Sequence, residues 1–165
     1  MFNIFKKNKN EEDNVVEVKS PFIGKCFEVK DIPDEVFASN MMGEGVGFSS
    51  KDGILYSPLE GEIIQVFPTK HAVVMRSVEG LEILLHIGID TVEMKGEGFE
   101  AFVNSGAKVK AGDKLISFDL NLINEKAKSN LSPMVITNKE IIEHIEFNYG
   151  EVDTNSVIAR VKIKK

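Results

Sequence analysis

HAVVMRSVEGLEILLHIGID, residues 71 to 90, holds two of the three histidines in the chain. Two apolar, β-branched runs flank the polar SVEG at Ser77 to Gly80, the pattern of an antiparallel β-hairpin. A loop centred on SVEG sets His71 directly opposite His86. The same register pairs Val73 with Leu84 and Met75 with Glu82 on the histidine face. Ala72, Val74, Arg76, Leu81, Ile83 and Leu85 then take the other face, which, Arg76 apart, is the core side. A bulge would move every one of these assignments by one residue.

The same texture extends in both directions. PFIGKCFEV, GVGFSS, GILYSPLEGEIIQVF, GAKVKAGDKLISFD and VIARVKIKK are short apolar or alternating runs punctuated by Gly, Pro, Asn and Asp. Such runs read as strands of an all-β sandwich or barrel. Helix is expected only in short pieces, near Phe99 to Asn104, near Leu122 to Lys128, and after Asn138 in NKEIIEHIEF, with Asn138 as N-cap and His144 on the helix surface. SPFIGKCFEV from Ser20 and SPLEGEIIQV from Ser57 share S-P-x-x-G-x-x-x-x-V, which suggests two similar strand-turn-strand units around one core.

With 165 residues, 42% of them hydrophobic, one domain over residues 15–165 is expected, preceded by a polar tail over 1–14. Phe2, Ile4 and Phe5 beside Lys6, Lys7 and Lys9 allow that tail at most a weak membrane contact. The formal charge of −6 disfavours nucleic acid and anionic membranes and favours a basic protein partner. The one cysteine, Cys26, reads as a buried strand thiol. No apolar run is long enough to span a bilayer, so the expected location is cytoplasmic.

Two facing imidazoles ask for a chemical reason, since each ring brings nitrogens needing partners and a proton equilibrium near neutrality. Three readings stand. The pair is a structural pair on a strand surface; or it joins Asp90 as an N, N, O ligand set for zinc in a hydrolase; or one ring is a nucleophile for phosphoryl transfer and the other braces the phosphate. The last needs a shallow site with a flat apolar rim, which Val73, Leu84 and Phe67 could supply.

The segment LLHIGIDTVEMKGEGF, residues 84–99, resembles the active-site signature of the glucose-type enzyme IIA family of the phosphoenolpyruvate-dependent sugar phosphotransferase system. IPDEVFASNMMGEGVGF from Ile32, SPLEGEIIQVFPTKHA from Ser57, GAKVKAGDKLISFDLNLINEKAKS from Gly106 and the ending VIARVKIKK are similar to that family too. The resemblance implies a compact antiparallel β-sandwich of the barrel-sandwich hybrid type with a few short helical turns. It implies a phosphotransferase component in which His86 accepts a phosphoryl group from the phosphocarrier HPr and passes it to a cysteine on the IIB domain of a separate sugar permease. On matched positions, His71 stabilises the phosphate, Thr69 joins the hydrogen bonds around His71, the Gly88 carbonyl fixes the His86 tautomer, and Asp90 meets a basic group on the partner. Val36, Phe37, Met41, Met42, Phe67, Leu84 and Val92 match an apolar docking ring. No cofactor is obligatory. In some members regulatory targets such as transporters, glycerol kinase or adenylate cyclase bind the unphosphorylated face, and zinc sits between the two histidines and a partner carboxylate.

A rival of another class is a biotinyl or lipoyl carrier domain, because GAKVKAGDKL and SPLEGEIIQV are like its strand-turn units and Lys95 follows Glu-Met. The chain is about twice the length of such a domain, Gly96 follows Lys95, and the histidines would go unexplained.

Overall fold

The strand from Ala72 to Ser77 (β6) and the strand from Glu82 to His86 (β7) do form a hairpin, but its register is one residue from the expected one. Ala72 faces His86, Val73 faces Leu85, Val74 faces Leu84 and Met75 faces Ile83. The cause is a three-residue turn: Ser77 opposes Leu81, its N–H donating to the Leu81 carbonyl at 2.9 Å, and Gly80 closes the loop at φ +104°. Asn138 holds the exit, its Oδ1 accepting from Glu82 N and its Nδ2 donating to the Gly80 carbonyl, each at 2.9 Å. The shift exchanges faces on β6. Val73 and Met75 belong to the main core with Ile83 and Leu85, while Ala72 and Val74 lie on the histidine side with Leu84.

The computed structural model describes residues 14–164, so the expectations for the N-terminal tail, its membrane contact included, lie almost wholly outside the described residues. All strand pairings are antiparallel. An eight-stranded sheet contains, beside β6 and β7, the strands Gly24–Glu28 (β2), Glu44–Ser50 (β3), Gly61–Val66 (β5), Lys108–Val109 (β9), Ser132–Ile136 (β11) and Gly150–Val152 (β13). Their order across the sheet is β13-β2-β3-β11-β7-β6-β5-β9. A three-stranded sheet of Val15–Lys19 (β1), Val157–Ile163 (β14) and Ile142–Phe147 (β12) and another of Ile54–Tyr56 (β4), Lys114–Phe118 (β10) and Phe99–Ala101 (β8) complete the sandwich.

Period-2 alternation makes the centre of the large sheet apolar on both sides. Ile83, Leu85, Met134 and Ile136 point into the main core with Phe22, Phe48, Leu55 and Leu115. Leu84, Ala72 and Val135 point the other way and join Val29, Ile32, Phe37 and Ile89 in a second, smaller core. A short helix, Glu35–Ala38 (α1), lies in the segment that covers it, capped by Asp34, whose Oδ1 accepts from Val36 N at 2.9 Å and Phe37 N at 3.4 Å.

Other helical expectations are corrected. Phe99 to Asn104 begins as β8; NKEIIEHIEF is a 3-10 turn at Lys139–Ile141 followed by β12, so His144 sits on an edge strand. Its β-branched isoleucines pair with β14, and that tertiary pairing overrides the apparent helical spacing. The piece near Leu122 is real and starts two residues earlier, Leu120–Lys126 (α2), with Asp119 as its cap. Cys26 is buried, and burial pushes its thiol up to about 12.

The two S-P-x-x-G copies are built alike. Ser20 Oγ donates to the Phe22 carbonyl and Ser57 Oγ to the Leu59 carbonyl, at 2.5 and 2.7 Å. The copies also clasp each other: Lys19 N donates to Pro58 O at 3.0 Å and Tyr56 N to Pro21 O at 2.8 Å. Each glycine opens a strand where a Cβ would strike a neighbouring backbone carbonyl, that of Ser49 at Gly24 and that of Arg76 at Gly61. Gly61→Ala is therefore expected to cost roughly 1–3 kcal/mol in urea unfolding; an unchanged midpoint would show that β5 and β6 part there without penalty.

Candidate functional site

The two histidines meet although they are not an opposed pair. β6 begins at Ala72, and the four residues Phe67 to Lys70 form a tight turn with Pro68 at its second position, Lys70 N donating to the Phe67 carbonyl at 2.8 Å and Lys70 taking a left-handed φ of +61°. His71 stands at the exit of that turn, free of strand alternation, with its carbonyl accepting from Ile87 N at 2.8 Å. Its ring lies 5.0 Å from the His86 ring, centroid to centroid, at 78°.

Each ring is fixed by one nitrogen. His86 Nδ1 is 2.7 Å from the Gly88 carbonyl; a carbonyl only accepts, so Nδ1 carries the proton and Nε2 presents its lone pair. His71 Nδ1 is 2.5 Å from Thr69 Oγ1, which leaves its Nε2 as the uncommitted nitrogen. Phe67 stands edge-on to His71 at 5.5 Å, and Phe37 lies 5.3 Å from His86.

Gly88 can be nothing but glycine. It adopts φ +67°, and a Cβ there would meet Thr91 Cγ2 at 2.7 Å and the Ser129 carbonyl at 2.8 Å. Thr91 Oγ1 donates to the Ile87 carbonyl at 2.5 Å, Gly88 N to Ser132 Oγ at 3.0 Å, and Ile89 N to the Ser129 carbonyl at 2.9 Å. The loop after β7 is thus held on several sides.

Both rings are neutral at neutral pH. Burial pushes His71 down to about 4, with the neighbouring His86 adding to the effect; only 5% of His71 is exposed. Burial likewise lowers His86, while the Gly88 carbonyl and the Asp34 and Asp90 carboxylates pull it partly back. Asp34 was absent from the residues singled out in the sequence, although Pro-Asp-Glu before Val36 is a helix-start signal that would have placed it.

The remaining expected residues fall in two groups. Val36 (44% exposed), Met41 (72%), Met42 and Val92 (48%) are open to solvent. Phe37 and Leu84 are buried in the second core and Phe67 is half-buried against it. Asp90 is exposed in a left-handed turn, φ +62°, at the start of the 3-10 turn Thr91–Met94. Among the described residues no three His, Cys, Asp or Glu side chains gather as a metal ion would need, so Asp90 does not complete a ligand trio with the histidines. Val73, expected at the rim, is in the main core because of the register shift. Lys95 follows the 3-10 turn instead of standing at a hairpin tip, which removes the geometry a swinging-cofactor lysine requires.

Among the described residues no helix is long and apolar enough to cross a membrane. The model of the family described as phosphoenolpyruvate-dependent sugar phosphotransferase system, EIIA 1, matches residues 16–142. The PTS system glucose-specific EIIA component of Bacillus cereus is 47% identical over 156 residues, 94% of this chain and 93% of that protein. Its counterpart in Staphylococcus epidermidis is 50% identical over 145 residues, 87% of each. The solved structure of glucose permease IIA from Mycoplasma capricolum matches with a TM-score of 0.82 and 37% identity, over 88% of this chain and 95% of that one. With its antiparallel sandwich and its two facing imidazoles, the chain belongs to the EIIA family of the phosphoenolpyruvate-dependent sugar phosphotransferase system.

Proposed function

We propose that His86 accepts a phosphoryl group from phospho-HPr and passes it to the IIB cysteine of a separate, glucose-type sugar permease. The observation that carries this reading is the fixed tautomer: with Nδ1–H committed to the Gly88 carbonyl, the Nε2 lone pair of a neutral ring is ready to attack. As the new N–P bond forms at His86 Nε2, the N–P bond on the donor histidine breaks and its electron pair returns to the donor ring. In the second transfer a thiolate attacks the same phosphorus, an S–P bond forms, and the N–P bond electrons return to His86. The His71 ring lies 5.0 Å from that of His86, and a proton on its uncommitted Nε2 would bind a phosphoryl oxygen; a Thr69 hydroxyl donating to Nδ1 keeps the proton there.

Val36, Met41, Met42 and Val92 form the exposed apolar surface on which a partner closes, and Asp34 and Asp90 lie near enough to His86 to be felt electrostatically. Docking with little deep concavity suits a carrier that must meet two proteins in turn. The same neutral His71 and His86 offer two nitrogen donors to zinc, to be completed by a carboxylate of a regulatory partner; when bound, the metal would supply a bridge between the proteins. Phosphoryl transfer does not use it.

Incubation with phosphoenolpyruvate, enzyme I and HPr is expected to add one acid-labile phosphate to the wild type and none to His86→Ala, with His71→Ala charged but unable to pass the group on. With phospho-HPr prepared beforehand and freed of enzyme I and its magnesium, chelator should leave wild-type charging unchanged. Charging of wild type at another residue, or loss of charging with chelator, would defeat the proposal.

The depressed His86 value has a kinetic consequence. Protonated imidazole is not a nucleophile, so the pH at which phosphoryl uptake falls to half its full rate should lie below the ordinary value of 6.5. A rate already halved at 6.5 would mean that Asp34, Asp90 and the Gly88 carbonyl outweigh burial.

His71 also ties stability to pH. Between about 4 and 6.5 the unfolded chain binds a proton at this position that the folded chain does not, so stability is lost as pH falls through that window. His71→Gln should therefore lose less stability than wild type over it, by up to roughly 3 kcal/mol in urea unfolding. Parallel losses would show that His71 stays solvated.

A further inference from the structure

The ladder between β7 and β11 ends early. Ile83, Leu84 and Leu85 pair with Ile136, Val135 and Met134, and there the register stops, one residue short of His86. Beyond that point the chain after His86 remains attached to the first residue of β11 and to the segment before it, but by different means. Gly88 N–H donates to the Ser132 hydroxyl at 3.0 Å, and Ile89 N–H donates to the Ser129 carbonyl at 2.9 Å. One of these two struts is a side chain standing where a ladder would use a backbone carbonyl.

We infer that Ser132 is a positioning residue for phosphoryl transfer: its hydroxyl, by holding the Gly88 N–H, orients the Gly88 carbonyl that keeps the His86 proton on Nδ1.

The inference rests on the proposed role of His86 and deepens it. Gly88 is buried and in a left-handed conformation, so its two flanking peptide planes are free to rotate unless something holds them. Thr91 Cγ2 and the Ser129 carbonyl leave no room for a side chain that would do so by bulk. Hydrogen bonds must do it. The Gly88 C=O and the Ile89 N–H belong to one peptide unit, which accepts from His86 on one side and donates to Ser129 on the other. The preceding unit comprises the Ile87 carbonyl, which accepts from Thr91 Oγ1, and the Gly88 N–H, whose acceptor is Ser132 Oγ. Ser132 is itself fully buried, packed between β3, where it opposes Phe48, and the loop, and its hydroxyl has the Asn130 carbonyl at 3.4 Å to receive its own proton. With its proton directed there, Ser132 Oγ offers a lone pair to Gly88. Removing that acceptor would leave a buried N–H unpaired, and the cheapest relief is rotation about Gly88, which swings its carbonyl from His86. The ring would then populate the Nε2–H tautomer, whose Nε2 has no lone pair to give.

A second-sphere contact of this kind changes the reaction without touching phosphorus. Its expected signature is roughly a tenfold fall in the turnover of uptake, with little change in the concentration of phospho-HPr needed for half-maximal rate.

The test uses the full chain. Long-range proton–nitrogen correlation on histidine-labelled, unphosphorylated protein reads the His86 tautomer directly, alongside uptake kinetics from phospho-HPr. Wild type should show Nδ1–H alone; Ser132→Ala should show both tautomers with the slower turnover; Ser132→Thr, which keeps the hydroxyl, should restore both readouts. Should the alanine variant fail to fold, Ser132→Cys, close in shape and weak as an acceptor, carries the same comparison. An unmixed Nδ1–H tautomer with unchanged turnover in the hydroxyl-free variant would overturn the inference, as would slower turnover with the tautomer unmoved. If His86 takes no phosphate in wild type while the variant still mixes its tautomers, the carrier role falls and Ser132 is left as the residue that fixes the His86 tautomer.

Discussion

The centre of the eight-stranded sheet is buried on both faces, and the site exists because of how that double burial ends. On one side Ile83, Leu85, Met134 and Ile136 meet the main core. On the other, Leu84, Ala72 and Val135 would be bare if the segment carrying α1 did not fold over them. That cover brings Asp34, Val36 and Phe37 to the end of β7, where strand pairing stops and His86 emerges. The second core is therefore both packing and platform: its interior is Phe37 and Leu84, and its outer surface is Val36, Met41 and Met42. Residues that the family resemblance groups as one ring divide physically into a buried floor, whose Phe37 packs on His86, and a rim open to solvent.

Neutral imidazoles follow from the same burial. A phosphoryl group brings negative charge, and charged rings would seem the better receptors for it. A cationic His86 could not attack, however, and two cations at ring-to-ring contact would repel each other. Burial resolves the conflict by keeping both rings neutral; on the proposed role, binding of the phosphate would fall to directed N–H donors, whose strength in a desolvated site does not need formal charge.

The proximity of the imidazoles was legible in the sequence, and so was the all-β fold, because apolar runs of strand length and turn residues carry those signals locally. The faces of Val73, Val74, Ala72 and Met75 were not, because they depend on whether the hairpin loop has three residues or four, and Gly80 in a left-handed conformation decides that. His144 was misplaced for a different reason: its isoleucine neighbours suit a helix face as well as an edge strand, and only pairing with β14 separates the two. Ser132 gives no local signal at all. A serine at the start of a strand acquires meaning only when the strand lies beside the loop that follows His86.

The position of β11 has a temporal consequence. It fills the gap between β3 and β7, and it comes from residues 132 to 136, some 46 positions after His86 for its first residue. Until that segment has been synthesised and has inserted, β7 lacks one neighbour, Gly88 lacks its acceptor and the small core lacks Val135. Such distant pairings form late, after loop closure has been overcome. A chain still emerging from the ribosome thus contains both histidines long before it contains the assembled site around them, and topology alone sets that order.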